Sequence, residues 1–135
     1  MNPSNGYLKL VSVEEFLTLK NGPPKVMQCS TENFYYTDSD STLYCNSIDS
    51  LTQENLDLGK ISKFSVYKMC ITYDGLWLFI SAGNGHLIKF STTTNQIAHN
   101  FGKILQRSIR SMTVSRDSKY VFVCDSKGFL KQFHV

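Results

Sequence analysis

The side chains on which this 135-residue chain could build chemistry are three histidines, four cysteines and eleven carboxylates. Hydrolysis by a nucleophile needs a Ser or Cys beside a His that a third group orients. No Gly-x-Ser-x-Gly elbow occurs, and His86, His99 and His134 each fall alone on a strand-like stretch. Zinc needs Cys and His in close pairs, yet Cys29, Cys45, Cys70 and Cys124 are separated by 16, 25 and 54 residues. A phosphate loop needs Lys-Ser/Thr after its glycines and then a helix, and Gly83-Asn84-Gly85 has neither. A calcium loop needs a central Gly and a terminal Glu, which Asp38-Ser39-Asp40-Ser41 lacks. Trp77 lies inside an apolar run, where packing is its expected role. The expectation is no catalytic residue, no metal site and no cofactor.

What remains is binding chemistry, and charge is its first clue. Net charge is +3, but residues 1–67 carry five Lys against eight Asp/Glu, whereas residues 68–135 carry nine Lys/Arg against three Asp. A basic half of this kind steers acidic partners to one side. The closest approach to a nucleic-acid stripe is Lys103, Arg107, Arg110, Arg116 and Lys119, and it lacks an interleaved stacking motif. At 41% apolar and 19% charged residues the chain has the composition of a folded globular domain. It has no run of 18 apolar residues and no charged start followed by an apolar stretch, so neither a membrane-spanning helix nor a secretory signal is expected. The cysteines sit in or beside apolar runs and read as reduced and mostly buried. That points to the cytoplasm, with the nucleus as the alternative.

The elements that would position these residues repeat. Ser65–Phe90 aligns without a gap on Ser108–Phe133 at an offset of 43 residues. Identities fall at Ser65/Ser108, Met69/Met112, Asp74/Asp117, Phe79/Phe122, Gly85/Gly128, Leu87/Leu130 and Phe90/Phe133. These are apolar and turn positions, the ones a shared architecture constrains. Within the first copy, Tyr67–Thr72 is rich in β-formers and Tyr73-Asp74-Gly75 is a hairpin signal. Trp77–Ser81 reads as a buried strand, and Asn84-Gly85 suits positive φ. His86–Ser91 is a third strand and Gln96–Phe101 a fourth. A weaker upstream copy places strands at Val26–Cys29, Phe34–Thr37 and Thr42–Cys45.

Four antiparallel strands in about 43 residues form one blade of a β-propeller. The expected fold is therefore all-β, with antiparallel four-stranded blades in a partial ring of about three. One domain spans 1–135, with units at approximately 22–64, 65–107 and 108–135 and an N-terminal closing segment at 6–20. Gly6–Val13 can supply a missing strand. Residues 13–20 read equally as a capped short helix or as an alternating strand.

Ile71–Gly75, Leu78–Gly83 and Gly85–Phe90 together resemble a blade of the WD-repeat β-propeller family, and Val114–Ser118 with Gly128–Phe133 resembles a second. The likeness is good over 65–135 and faint over 22–62. Phe90-Ser91 and Phe133-His134 stand where the family has Trp-Asp, and Asn84 and Lys127 stand where it has a structural Asp in the second turn. The family's Gly-His pair before the first strand has no match. Its buried Ser–His–Asp–Trp network therefore cannot form in full, and packing must carry more of the blade.

The resemblance implies a non-enzymatic scaffold that binds other proteins through loops on one face of the ring, and the basic half suits an acidic partner. Carried onto this chain, those loops hold Gly102–Arg107 with Arg110, Ala82–His86, and Asp125–Phe129. The expected partner-binding residues are thus Lys103, Arg107, Arg110 and Lys127, with His86 and Phe129. The alternatives are a propeller-type hydrolase or dehydrogenase, or a nucleic-acid binder using the basic face. The first is disfavoured because no acidic or His cluster recurs at the period. Three blades leave open edges, so the expectation is a homodimer completing a six-bladed ring or a piece of a longer chain.

Overall fold

The structure, a computed structural model, describes residues 23–48 and 56–135. The strand expected near Gly6–Val13 and the segment at 13–20 lie outside the described residues. Strands β1 (Val26–Cys29), β2 (Asn33–Thr37), β3 (Thr42–Ser47) and β4 (Leu56–Lys60) form one antiparallel sheet in chain order. A second sheet comprises β5 (Val66–Ile71), β6 (Trp77–Ala82), β7 (His86–Ser91) and β8 (Gln96–Lys103). The third comprises β9 (Ser111–Val114), β10 (Tyr120–Cys124) and β11 (Leu130–His134). The first strand of the middle sheet, β5, touches both β1 and β9, so the three sheets stand side by side along their inner edges as blades.

The middle blade explains its own apolar run. Along β6, Leu78 and Ile80 pack with Tyr35, Leu43 and Val66 against the first blade. Phe79 points the other way, into a second core with Leu87, Val121 and Val123. A strand covered on both faces loses the usual polar alternation. Phe79 and Leu78 are fully buried, and each such side chain contributes about 1.5–3 kcal/mol of hydrophobic stabilisation.

The turn after the inner strand repeats to the atom in the second and third blades. The Thr72 hydroxyl donates to the Asp74 carboxylate and accepts from the Trp77 amide at 3.1 Å. Forty-three residues on, the Ser115 hydroxyl donates to Asp117 at 2.6 Å and accepts from the Tyr120 amide at 3.0 Å. The Ser115 hydroxyl and the Lys119 amide hold the Asp117 carboxyl below its usual range. The blades are also tied across their boundaries. Gln28 Nε2 donates to Met69 O at 3.2 Å, and the Ser118 hydroxyl accepts from the Asp74 amide at 3.0 Å.

Two expectations need correction. The cysteines are free, but they are not mostly buried: Cys70 is buried, Cys45 and Cys124 are half-buried, and Cys29 is exposed. Alternation along β1 turns Met27 and Cys29 outward while Val26 packs on the core. Burial pushes the Cys70 thiol up to about 12. The second turn of the third blade also keeps an aspartate after all. Asp125, two residues before Lys127, accepts from the amides of Lys127 at 2.9 Å and Phe129 at 3.0 Å.

Candidate partner-binding face

The links between blades, 61–65 and 104–110, emerge at the same end as the turns at 38–41, 83–85 and 125–128. This upper end carries every residue expected to bind a partner. One glycine sets its geometry. Gly85 has φ +78°, and its carbonyl accepts from the amides of Ile104 at 2.9 Å and Leu105 at 3.4 Å. The link lies so close that a Cβ at Gly85 would stand 2.2 Å from Leu105 O and 2.7 Å from Arg107 O. Only glycine lets the link settle there, and that contact delivers Arg107 to the boundary between the second and third blades.

Arg107 borders two adjoining clefts. One, of about 530 Å³, is lined by Tyr67, Lys68, Arg107, Ser108, Arg110 and Ser126 with Ile109 at its base. The other, of about 310 Å³, holds Arg107 with Ile104, Leu105, Asp125, Phe129 and Lys131 among its walls. Arg107 and Arg110 thus line one cleft together, and Phe129, 68% exposed, lines the other with Arg107. His86 belongs elsewhere. Its Nδ1 donates to Gly83 O at 2.8 Å, and its ring stacks on Phe64 at 4.5 Å. Both line a groove between the first and second blades that Lys60 and Lys63 border. Lys103 is exposed at the end of β8, paired in register with His86. Lys127 stands at the exposed tip of its turn and lines neither Arg107 cleft.

Sequence reasoning missed Lys68, Tyr67, Ser108 and Ser126. A signal existed: Tyr67 is the 43-residue counterpart of Arg110, and Ser65 of Ser108. The register shift between Val66 and Lys68 turns this stretch from simple alternation, which pattern alone does not disclose. The five-residue basic series does not form one stripe. Arg116 and Lys119 lie in the turn after β9, at the end opposite Arg107 and Arg110, and the Arg116 guanidinium sits 5.7 Å from the Tyr73 ring centroid. Trp77 is half-buried against the second core, with the Lys89 ammonium 4.1 Å from its ring centroid. Asp38 spends its carboxylate on its own turn, accepting from the Asp40 and Thr42 amides and the Tyr44 hydroxyl. Among the described residues no three His, Cys, Asp or Glu side chains stand where they could hold a metal ion.

The blades superimpose on known propellers. Hsv2 of Kluyveromyces lactis matches with a TM-score of 0.70 at 16% identity, over 81% of this chain and 36% of that one. A chain of the mitotic checkpoint complex matches with a TM-score of 0.67 at 14% identity, over 81% of this chain and 32% of that one. The Cps50 (Swd1) β-propeller domain of Myceliophteria thermophila gives 0.63 at 15%, over 77% and 35%. The fold is that of a β-propeller. The chain spans about a third of the length of the propellers it resembles. No protein-family model matches it, and no curated protein does. Phe90, which stands where the WD-repeat pattern has Trp, is buried in the first core.

Proposed function

We propose that this chain is a non-enzymatic scaffold in a reducing compartment that binds acidic protein partners through the upper ends of its second and third blades. The observation that carries this reading is the placement of Arg107, shared by two adjoining clefts, with Arg110 and Lys68 on one side and exposed Phe129 on the other. An exposed Phe beside two guanidinium groups fits the composition of protein interfaces, where aromatic residues and Arg are enriched. The kinship of fold with a chain from the mitotic checkpoint complex supports the same reading.

The test is a quantitative pull-down comparing the native chain with the double variant Arg107→Glu/Arg110→Glu. A second variant, Arg116→Glu, places the same charge change at the opposite end of the blade. Partners should be lost from the double variant and retained by Arg116→Glu. Equal recovery of every partner by all three proteins would remove the upper face from consideration.

A further inference from the structure

The larger cleft beside Arg107 has a composition that narrows what it binds. Three cationic side chains line one open cup of about 530 Å³: Lys68 from β5, and Arg107 and Arg110 from the link before β9. Three hydroxyl-bearing side chains, Tyr67, Ser108 and Ser126, line it as well, and no carboxylate does. The nearest acid in sequence, Asp125, is buried, with one carboxylate oxygen taken by two backbone amides. Among the described residues no carboxylate forms an ion pair with Lys68, Arg107 or Arg110. A further cation stands behind the wall, since the Lys25 ammonium lies 5.1 Å from the Tyr67 ring centroid.

This is more positive charge than one carboxylate can match. A carboxylate brings a single charge and two oxygens. A phosphomonoester brings close to two charges and three acceptor oxygens at neutral pH. Guanidinium groups suit it especially, because paired N–H donors can grip two phosphate oxygens at once. The hydroxyls can donate to an oxygen the guanidinium groups leave free. We propose that the cup between the second and third blades binds the phosphate of a phosphorylated serine or threonine on a protein partner. The proposal rests on the upper face being the partner-binding face, and it adds the chemical mark that the partner carries. The neighbouring cleft with exposed Phe129 shares Arg107 with it, which leaves room for an apolar residue flanking the phosphorylated one.

Fluorescence anisotropy tests it with a labelled peptide pool whose central residue is phosphoserine and whose flanks are randomised. Matched pools carry Ser or Glu at the centre. The phosphoserine pool should bind at least about tenfold more tightly than the Glu pool, and the Ser pool more weakly still. Lys68→Gln and Arg107→Gln, which remove the charge and keep a polar side chain, should each weaken phosphoserine binding by about tenfold, as loss of a charge-assisted contact does. Arg107→Lys should recover part of it, and Arg116→Gln should leave it unchanged. Equal binding of the Glu and phosphoserine pools would overturn the phosphate assignment while sparing the acidic-partner reading. Binding of none of the pools, with partner capture still lost in Arg107→Glu/Arg110→Glu, would do the same. Arg107-dependent binding to phosphatidylcholine vesicles doped with a phosphoinositide, without preference among the peptide pools, would replace the peptide by a lipid headgroup and overturn the proposal.

Discussion

The turn between the second and third strands is built one way in the outer two blades and another way in the middle one. In the first blade Asp38 bonds the amides of Asp40 at 2.9 Å and Thr42 at 3.0 Å. In the third, Asp125 bonds those of Lys127 and Phe129 at the same spacings in sequence. A carboxylate placed at the turn's start gathers the backbone around itself. The middle blade has Ala82 at that position and no carboxylate. Asn84 at φ +64° and Gly85 at φ +78° carry the chain round, and the Gly83 amide donates to Ser65 O at 2.9 Å. The middle turn is held from outside, by the two links that lie against it. That teaches why the basic cup sits where it does. A turn that organises itself can stand alone, whereas this turn and the link carrying Arg107 are fixed by each other.

The strongest way to break this comparison is to fill the middle turn. Gly85 and Gly128 occupy matching positions, both with positive φ, but a Cβ at Gly128 would meet nothing within 4 Å. Gly128→Ala should therefore cost only the left-handed backbone penalty, about 1–2 kcal/mol. Gly85→Ala adds a collision with two backbone carbonyls and should cost about 3 kcal/mol or more. Urea denaturation of the two variants measures the difference. In Gly85→Ala protein that still folds, displacement of the link should also weaken any binding that depends on Arg107. Equal stability losses would mean that the link does not rest on Gly85.

The next contrast is between the two carboxylate-held turns. Asp38 accepts a third bond, from the Tyr44 hydroxyl at 3.2 Å, and Tyr44 is buried. Burial, and then the nearby Asp38 carboxylate, push the Tyr44 hydroxyl up to about 12, so it remains a donor across the physiological range. Asp38→Ala should cost about 2–3 kcal/mol, since it strands a buried donor as well as two amides. Asp125→Ala should cost about 1–2 kcal/mol, and thermal unfolding should rank them in that order. The reverse ranking would show that the buried hydroxyl finds another partner.

These turns also mark how far the sequence was readable. The inner-strand turns were legible, because Asp74 and Asp117 fall at one offset and bond in one pattern. The pairing of Asp38 with Asp125 was hidden by arithmetic. Asp38 lies 44 residues before Ala82, the position that lies 43 before Asp125, so a strict 43-residue comparison slides past it. Arg107 and Arg110 stand out in the sequence because they lie in a link with few other features. Lys68 does not, because β-strand alternation assigns it a face that the register shift at Val66/Lys68 alters. Periodicity reads repeated local bonds well. It does not read a cup assembled where one irregular strand meets a link held by a neighbouring blade.

The finest test of the comparison concerns Ser41, the first blade's counterpart of Gly85. It too has positive φ, +64°, and its carbonyl accepts from the Ile61 amide at 3.0 Å, as Gly85 does from Ile104. Here the turn carries a side chain, and the Ser41 hydroxyl donates to Phe64 O at 2.8 Å. Ser41→Gly relieves about 1–2 kcal/mol of backbone penalty. It loses a hydrogen bond of about 1 kcal/mol and frees the unfolded chain by about 0.4–1 kcal/mol. The terms nearly cancel, so its stability should lie within about 0.5 kcal/mol of the native chain. Ser41→Ala keeps the penalty and loses the bond, and should be about 1 kcal/mol less stable. A glycine variant less stable than the alanine variant would mean that the Ser41 backbone is not under the strain its φ indicates. The first and middle turns would then differ in more than what lies against them.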